Sequence, residues 1–150
     1  MRPLMIATAF FLLVAGGVDD CPEQANLPTD GLDMSKVAIN PVTGQPLVFC
    51  RKQVWAGHVV QLTVTVCDPD EGDPNSPPQE LRLWHIVGDL DVDMPLEGGV
   101  GTLTTSYPTP GTYYESFGVT DGVDDENSVV LGTMVVDVYR VNREPRLGCL

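Results

Sequence analysis

Basic residues are scarce in this 150-residue chain. Eight Lys and Arg stand against 21 Asp and Glu, a net charge of −13. A surface of that sign repels phosphate backbones, so nucleic-acid binding is excluded. Histidine occurs twice, at His58 and His85, and neither belongs to a Ser or Cys nucleophile motif; there is no G-x-S-x-G. The stretch Gly98-Gly99-Val100-Gly101 lacks the Lys and the following helix of a phosphate loop. Carboxylates are plentiful, but they fall in open loops, whereas glycoside hydrolysis needs two across a cleft. The chain is therefore read as a non-enzyme with no resident cofactor. Its four cysteines include no C-x-x-C and no nearby His pair, which excludes a zinc site. No N-x-Ser/Thr sequon occurs. Long apolar runs are absent beyond residues 4–15. That run follows Arg2 and precedes the small residues Ala15 and Gly17, so residues 1–17 read as a secretory signal peptide cut after Gly17. It is shorter than the roughly 20 apolar residues a spanning helix needs. The mature chain is expected to be secreted or held at the cell surface, without a transmembrane segment.

The chain does have turns and alternation. Fifteen Gly and 13 Pro favour short elements, and an apolar content of 43% supplies a core. Residues 18–45 are polar and turn-rich and read as an N-terminal extension, with a short helical turn over residues 32–37. Residues 46–141 form the globular part and 142–150 a tail or linker. Within 58–66, Val60, Leu62, Val64 and Val66 alternate with Gln61, Thr63 and Thr65, the pattern of a half-buried strand. Further strands are expected over 81–87, 102–107 (an edge), 112–120 and 129–141, with 88–101 as loop. Strands separated by turns, with no helical period between them, predict an all-β antiparallel sandwich of about seven strands. Cys21, Cys50, Cys67 and Cys149 are an even set in a small exported domain, which predicts two disulfides. Three pairings are open; one would clip Cys21 to Cys149 near the two ends.

An ordered set of motifs runs through this region. Gly57 precedes the first strand, followed by Asp68-Pro69-Asp70-Glu71-Gly72. Trp84-His85-Ile86-Val87-Gly88-Asp89-Leu90, Tyr107-Pro108-Thr109-Pro110-Gly111-Thr112-Tyr113 and Val119-Thr120-Asp121-Gly122 come after it. In order and spacing, residues 57–141 resemble a PKD (polycystic kidney disease) repeat, an immunoglobulin-like sandwich. The resemblance implies that sandwich fold. It departs from the family at Val87, an extra residue, and at Leu90 in place of a second Gly, which predicts a reshaped turn or a bulge there. Trp84 is expected to plug the core with Tyr113 and Phe117. Counting by twos from Trp84 places Arg82 inward, and counting by twos from Tyr113 places Glu115 inward. A lone buried charge is costly, so Arg82 and Glu115 are expected to form a buried ion pair.

Acidic side chains cluster in three loops. The favoured reading is a solvated surface. The alternative is calcium, which takes six to eight oxygens; some PKD repeats bind it, and by that resemblance its ligands would be Asp68, Asp70 and Asp121. Trp55, Tyr114 and Tyr139 are the candidate aromatics for a carbohydrate platform. The function expected is a non-enzymatic structural or interaction module making protein–protein contacts. The alternatives are a subunit of an extracellular filament or surface layer, in which the N-terminal extension or the tail adds a strand to the edge of a neighbour, and a polysaccharide-binding accessory domain.

Overall fold

The computed structural model describes residues 21–69, 80–122, 129–140 and 147–149; the expected signal peptide, most of the tail and the acidic stretch containing Asp70 lie outside them. Seven strands are present: β1 (Val48–Trp55), β2 (Val59–Thr65), β3 (Arg82–Val87), β4 (Leu90–Met94), β5 (Val100–Ser106), β6 (Gly111–Thr120) and β7 (Val129–Tyr139). They make an all-β sandwich of a five-stranded sheet, in the order β1-β7-β6-β3-β4, and a two-stranded sheet, β2-β5. Every pairing is antiparallel except β1 with β7. Two strands were not expected. β1 carries Arg51, Lys52 and Gln53 in succession, which hides its period, because as an edge strand it leaves all three exposed. β4 replaces an expected loop: Leu90 to Met94 alternates and folds back on β3 through a two-residue turn at Gly88-Asp89. Gly88 takes a positive φ of 61°, which glycine adopts without a Cβ penalty. The β3–β4 register is continuous, so no bulge forms there; the register shift lies in β1, between Val48 and Cys50.

Alternation decides which side chains meet between the sheets. β2 supplies Leu62 and Val64, β7 supplies Met134, Val136 and Val138, and Leu83, Phe117 and Tyr107 complete the core. Tyr113 packs against this cluster, as expected, but Trp84 does not belong to it. In register, Leu83 faces Val119 and His85 faces Phe117, whereas Trp84 faces Gly118. Trp84 therefore lies on the outer face of the five-stranded sheet, half-buried, with its indole over the bare backbone of Gly118. Parity in β3 is set by Leu83, which is almost fully buried, and not by its larger neighbour.

β7 is buried on both faces, and residues 21–47 are the reason. They cross the outer face of the sheet, where Val37 packs with Val48 and Val135, flanked by Leu27, Leu32 and Tyr114. Backbone bonds fix the path: Leu27 N donates to Val48 O at 2.7 Å, and Ala38 N donates to Thr133 Oγ1 at 2.8 Å. A 3-10 turn at Met34–Lys36 is capped by Asp33, whose carboxylate accepts from Ser35 N at 3.1 Å. Cys21 is bonded to Cys67, which follows β2, with Cα atoms 5.7 Å apart. This ties the N-terminal segment to the smaller sheet. The expectation of a second disulfide fails, because Cys50 and Cys149 are free thiols. Cys50 turns toward the core beside Met134, and Cys149 is exposed.

Candidate interaction face

β1 and β7 run parallel, which sets Trp55 beside Tyr139 at the end of both strands. Both rings are about half open to solvent, at 50% and 47% exposure. On the same face, four residues before Trp55 and two before Tyr139, Arg51 Nε donates to Asp137 Oδ2 at 2.6 Å and Nη2 to Oδ1 at 3.2 Å. Thr112 Oγ1 donates to the same carboxylate at 3.2 Å. The Arg51 hydrogen bonds hold Asp137 below the usual carboxylate range, although burial acts the other way. The result is a rigid polar base beneath two open aromatic rings, with the guanidinium of Arg51 partly exposed. The third expected aromatic is not available to a ligand in this way. The Tyr114 hydroxyl accepts from Asp33 N at 2.8 Å, and its ring packs under the N-terminal segment with Lys36 Nζ 5.8 Å from the ring centroid. Sequence reasoning found Trp55 and Tyr139 as isolated aromatics. It missed Arg51, Asp137 and Thr112, because only the register brings them together.

The expected ion pair between Arg82 and Glu115 does not form. Arg82 lies opposite Thr120, the last residue of β6, whereas Glu115 is in the middle of that strand, and Arg82 is on the outer face with Trp84. There Nη2 reaches Asp93 Oδ1 at 2.9 Å, in a bridge exposed on both sides. Glu115 does point inward, as counting from Tyr113 predicts, but its partners are His85 Nε2 at 3.0 Å and the Tyr107 hydroxyl, which donates at 2.5 Å. This half-buried triangle joins β3, β5's end and β6. Burial first, and then the bond to Glu115, push the Tyr107 phenol well above its ordinary value, so it stays a hydrogen-bond donor. His85 also stacks at 5.1 Å on Phe117, and Tyr107 at 4.7 Å on Tyr113. The rings close over the carboxylate, which makes the triangle a part of the core wall.

Among the described residues no group of three His, Cys, Asp or Glu side chains is arranged to hold a metal ion. Of the expected calcium ligands, Asp68 is buried and Asp121 accepts from Glu80 N through its backbone carbonyl, while Asp70 is outside the described residues. A cavity of about 170 Å³ opens between the sheets near Cys67, walled by Leu47, Phe49, Val64, Leu83 and Phe117, and no acid or base lines it. No helix among the described residues is long and apolar enough to cross a membrane.

No family model matches the chain, and no curated protein is similar to it. A crystal structure from Bacteroides vulgatus, of a protein provisionally named a glycoside hydrolase, is similar over 59% of this chain and 16% of its own, at 14% identity and a TM-score of 0.26. The chain thus spans under a fifth of that protein, and a likeness of this size says nothing of what the chain does.

Proposed function

We propose that the chain is a secreted, non-enzymatic interaction module with a PKD-like sandwich, which contacts another protein through the face around Trp55 and Tyr139. The observation that carries this reading is the pairing of the two half-open rings beside Arg51. Trp, Tyr and Arg are the residues that dominate binding energy at protein interfaces. Here all three stand on one sheet face, and the Arg51–Asp137 bridge limits how far that face can move. Secretion is supported by the signal-like first 17 residues and by the Cys21–Cys67 disulfide, a bond that persists in oxidising compartments.

The same two rings favour a second reading, a platform for polysaccharide, since adjacent rings of this kind can stack on sugars. One experiment separates the two. The protein from a culture that secretes it is run on native gels, with and without soluble glycans, beside Trp55→Ala/Tyr139→Ala. The protein-contact reading expects a complex larger than the monomer that the double variant loses at least tenfold, and no retardation by glycans. Retardation by a glycan that the double variant abolishes would replace it with the carbohydrate reading. A complex that the double variant leaves intact would end both.

A further inference from the structure

The five-stranded sheet ends in two open edges of opposite character. Of the five basic residues described, Arg51 and Lys52 lie on β1, Arg140 follows β7, Lys36 sits over Tyr114, and Arg82 on β3 bridges Asp93. The other edge, β4, carries Asp91 and Asp93, with Asp89 in the turn before it. Between these acids stand two open apolar residues, Leu90 at 67% and Val92 at 48% exposure. Among the described residues, no backbone hydrogen bond reaches the outside of β4. On β1 such bonds meet only the two ends, where Leu27 donates to Val48 and His58 to Trp55.

Backbone parity on the two edges is complementary. Ala56 N donates to Tyr139 O at 2.8 Å, continuing the parallel ladder. In such a ladder alternate residues bond the neighbour, so Val54 and Lys52 turn their amides and carbonyls toward β7, while Arg51 and Gln53 turn theirs outward. On β4 the two-residue turn is closed by the bonded pair Val87–Leu90. Asp91 and Asp93 therefore face the open side. On both strands the outward-bonding residues are also those whose side chains lie on the outer face, so backbone pairing and side-chain pairing agree. Strand direction agrees as well. β1 and β4 run opposite ways across the sheet, so a copy displaced along the sheet presents its β1 antiparallel to β4. The register that sets Val54 against Leu90 sets Gln53 against Asp91 and Arg51 against Asp93.

We infer that a second copy of this chain joins it head to tail by pairing of β1 with β4, which leaves the Trp55 and Tyr139 face free for its own contact. The contact is heterologous, uses two different edges and leaves both outer edges open, so it propagates and does not close into a dimer. Each junction adds backbone bonds, covers Leu90, and lays the edge that carries Lys52 beside the one that carries Asp89 and Asp91, while Arg51 and Asp93 keep their bridges to Asp137 and Arg82. The inference rests on the reading that the chain works by protein contact.

Sedimentation velocity of the purified protein over rising concentration tests it, with Gln53→Glu, Asp91→Lys and the double swap. Gln53 and Asp91 are exposed, so the monomers fold alike. The wild type is expected to gain mass without a plateau. Gln53→Glu weakens association at least tenfold because it sets a second carboxylate opposite Asp91, Asp91→Lys does so because it brings a cation to the edge that receives Arg51 and Lys52, and the double variant, whose two new side chains face each other with opposite charge, restores it. Asp91→Lys makes the net charge less negative by two, so repulsion between whole molecules would predict stronger association; that result overturns the inference. So does a wild type that stays monomeric or stops at a dimer. If the wild type stays monomeric while Trp55→Ala/Tyr139→Ala still loses its native complex, this inference alone fails and the proposed function stands.

Discussion

Replacing Cys21 and Cys67 by serine lowers the free energy of unfolding by about 2–4 kcal/mol in urea titration. The bond closes a loop between residues 46 apart in sequence, for which chain entropy alone gives about 4 kcal/mol. Its position adds a second effect. Cys21 anchors the segment that covers Val48, Val135 and Tyr114, and Cys67 belongs to the other sheet. Without the bond the segment is held by Leu27, Leu32 and Val37 and by a few backbone bonds. The amides of Leu27 and Ala38, which bond Val48 and Thr133, should then exchange faster than those of β7. Dithiothreitol on the wild type should reproduce the loss and leave the serine variant unchanged, since Cys50 and Cys149 are unpaired. A serine variant within 0.5 kcal/mol of wild type, by the scale of ordinary surface changes, would show that the segment does not depend on this tie.

Gly118→Ala is the second large effect, a loss of about 1–3 kcal/mol from overpacking. Gly118 has ordinary φ, so the cause is space and not backbone strain. A Cβ there would come within 2.3 Å of Trp84 Cε2 and Cζ2 and within 2.6 Å of Nε1. These atoms belong to a rigid ring that cannot yield one atom at a time. The control is a double-mutant cycle. In a Trp84→Ala background the three nearest atoms are removed, and the cost of the added methyl should fall below about 0.5 kcal/mol. An equal cost in both backgrounds would mean that Trp84 does not lie over Gly118.

That pair also shows how far sequence reasoning reached. β2 was legible because Val60, Leu62 and Val64 alternate with threonines and a glutamine, and one face of the strand is wet. The two-sheet sandwich followed from repeated strands and turns. Parity in β3 was not legible, because both of its faces are covered in part: Trp84 is large and aromatic, yet Leu83 is the residue between the sheets. Arg82 held the missing signal, since a charge beside Leu83 points outward unless something inside pairs it. From Trp84 the error passed to the ion pair with Glu115. Glu115 itself was placed correctly, and the true partners, His85 and Tyr107, follow once β3 is shifted by one residue. The candidate face had a different obstacle. Trp55, Arg51, Asp137 and Tyr139 are joined by a parallel pairing between the first and last strands, and no local pattern encodes such a long-range register.

The opposite charges of β1 and β4 bear on how such a molecule stays unaggregated. Natural sheets block their edges with charge. Here each edge repels a copy of itself, and only the unlike edges fit. A filament built this way would keep the Trp55 and Tyr139 rings on its outer face.

Hydroxyl-radical footprinting, read by mass spectrometry on the purified protein and on the protein in its native secreted setting, tests the contact face most directly. The account predicts strong labelling of Trp55 and Tyr139 in the purified monomer, at least threefold protection of both in the native setting, and low labelling of Tyr114 throughout. Equal labelling of Trp55 and Tyr139 in the two settings would contradict it.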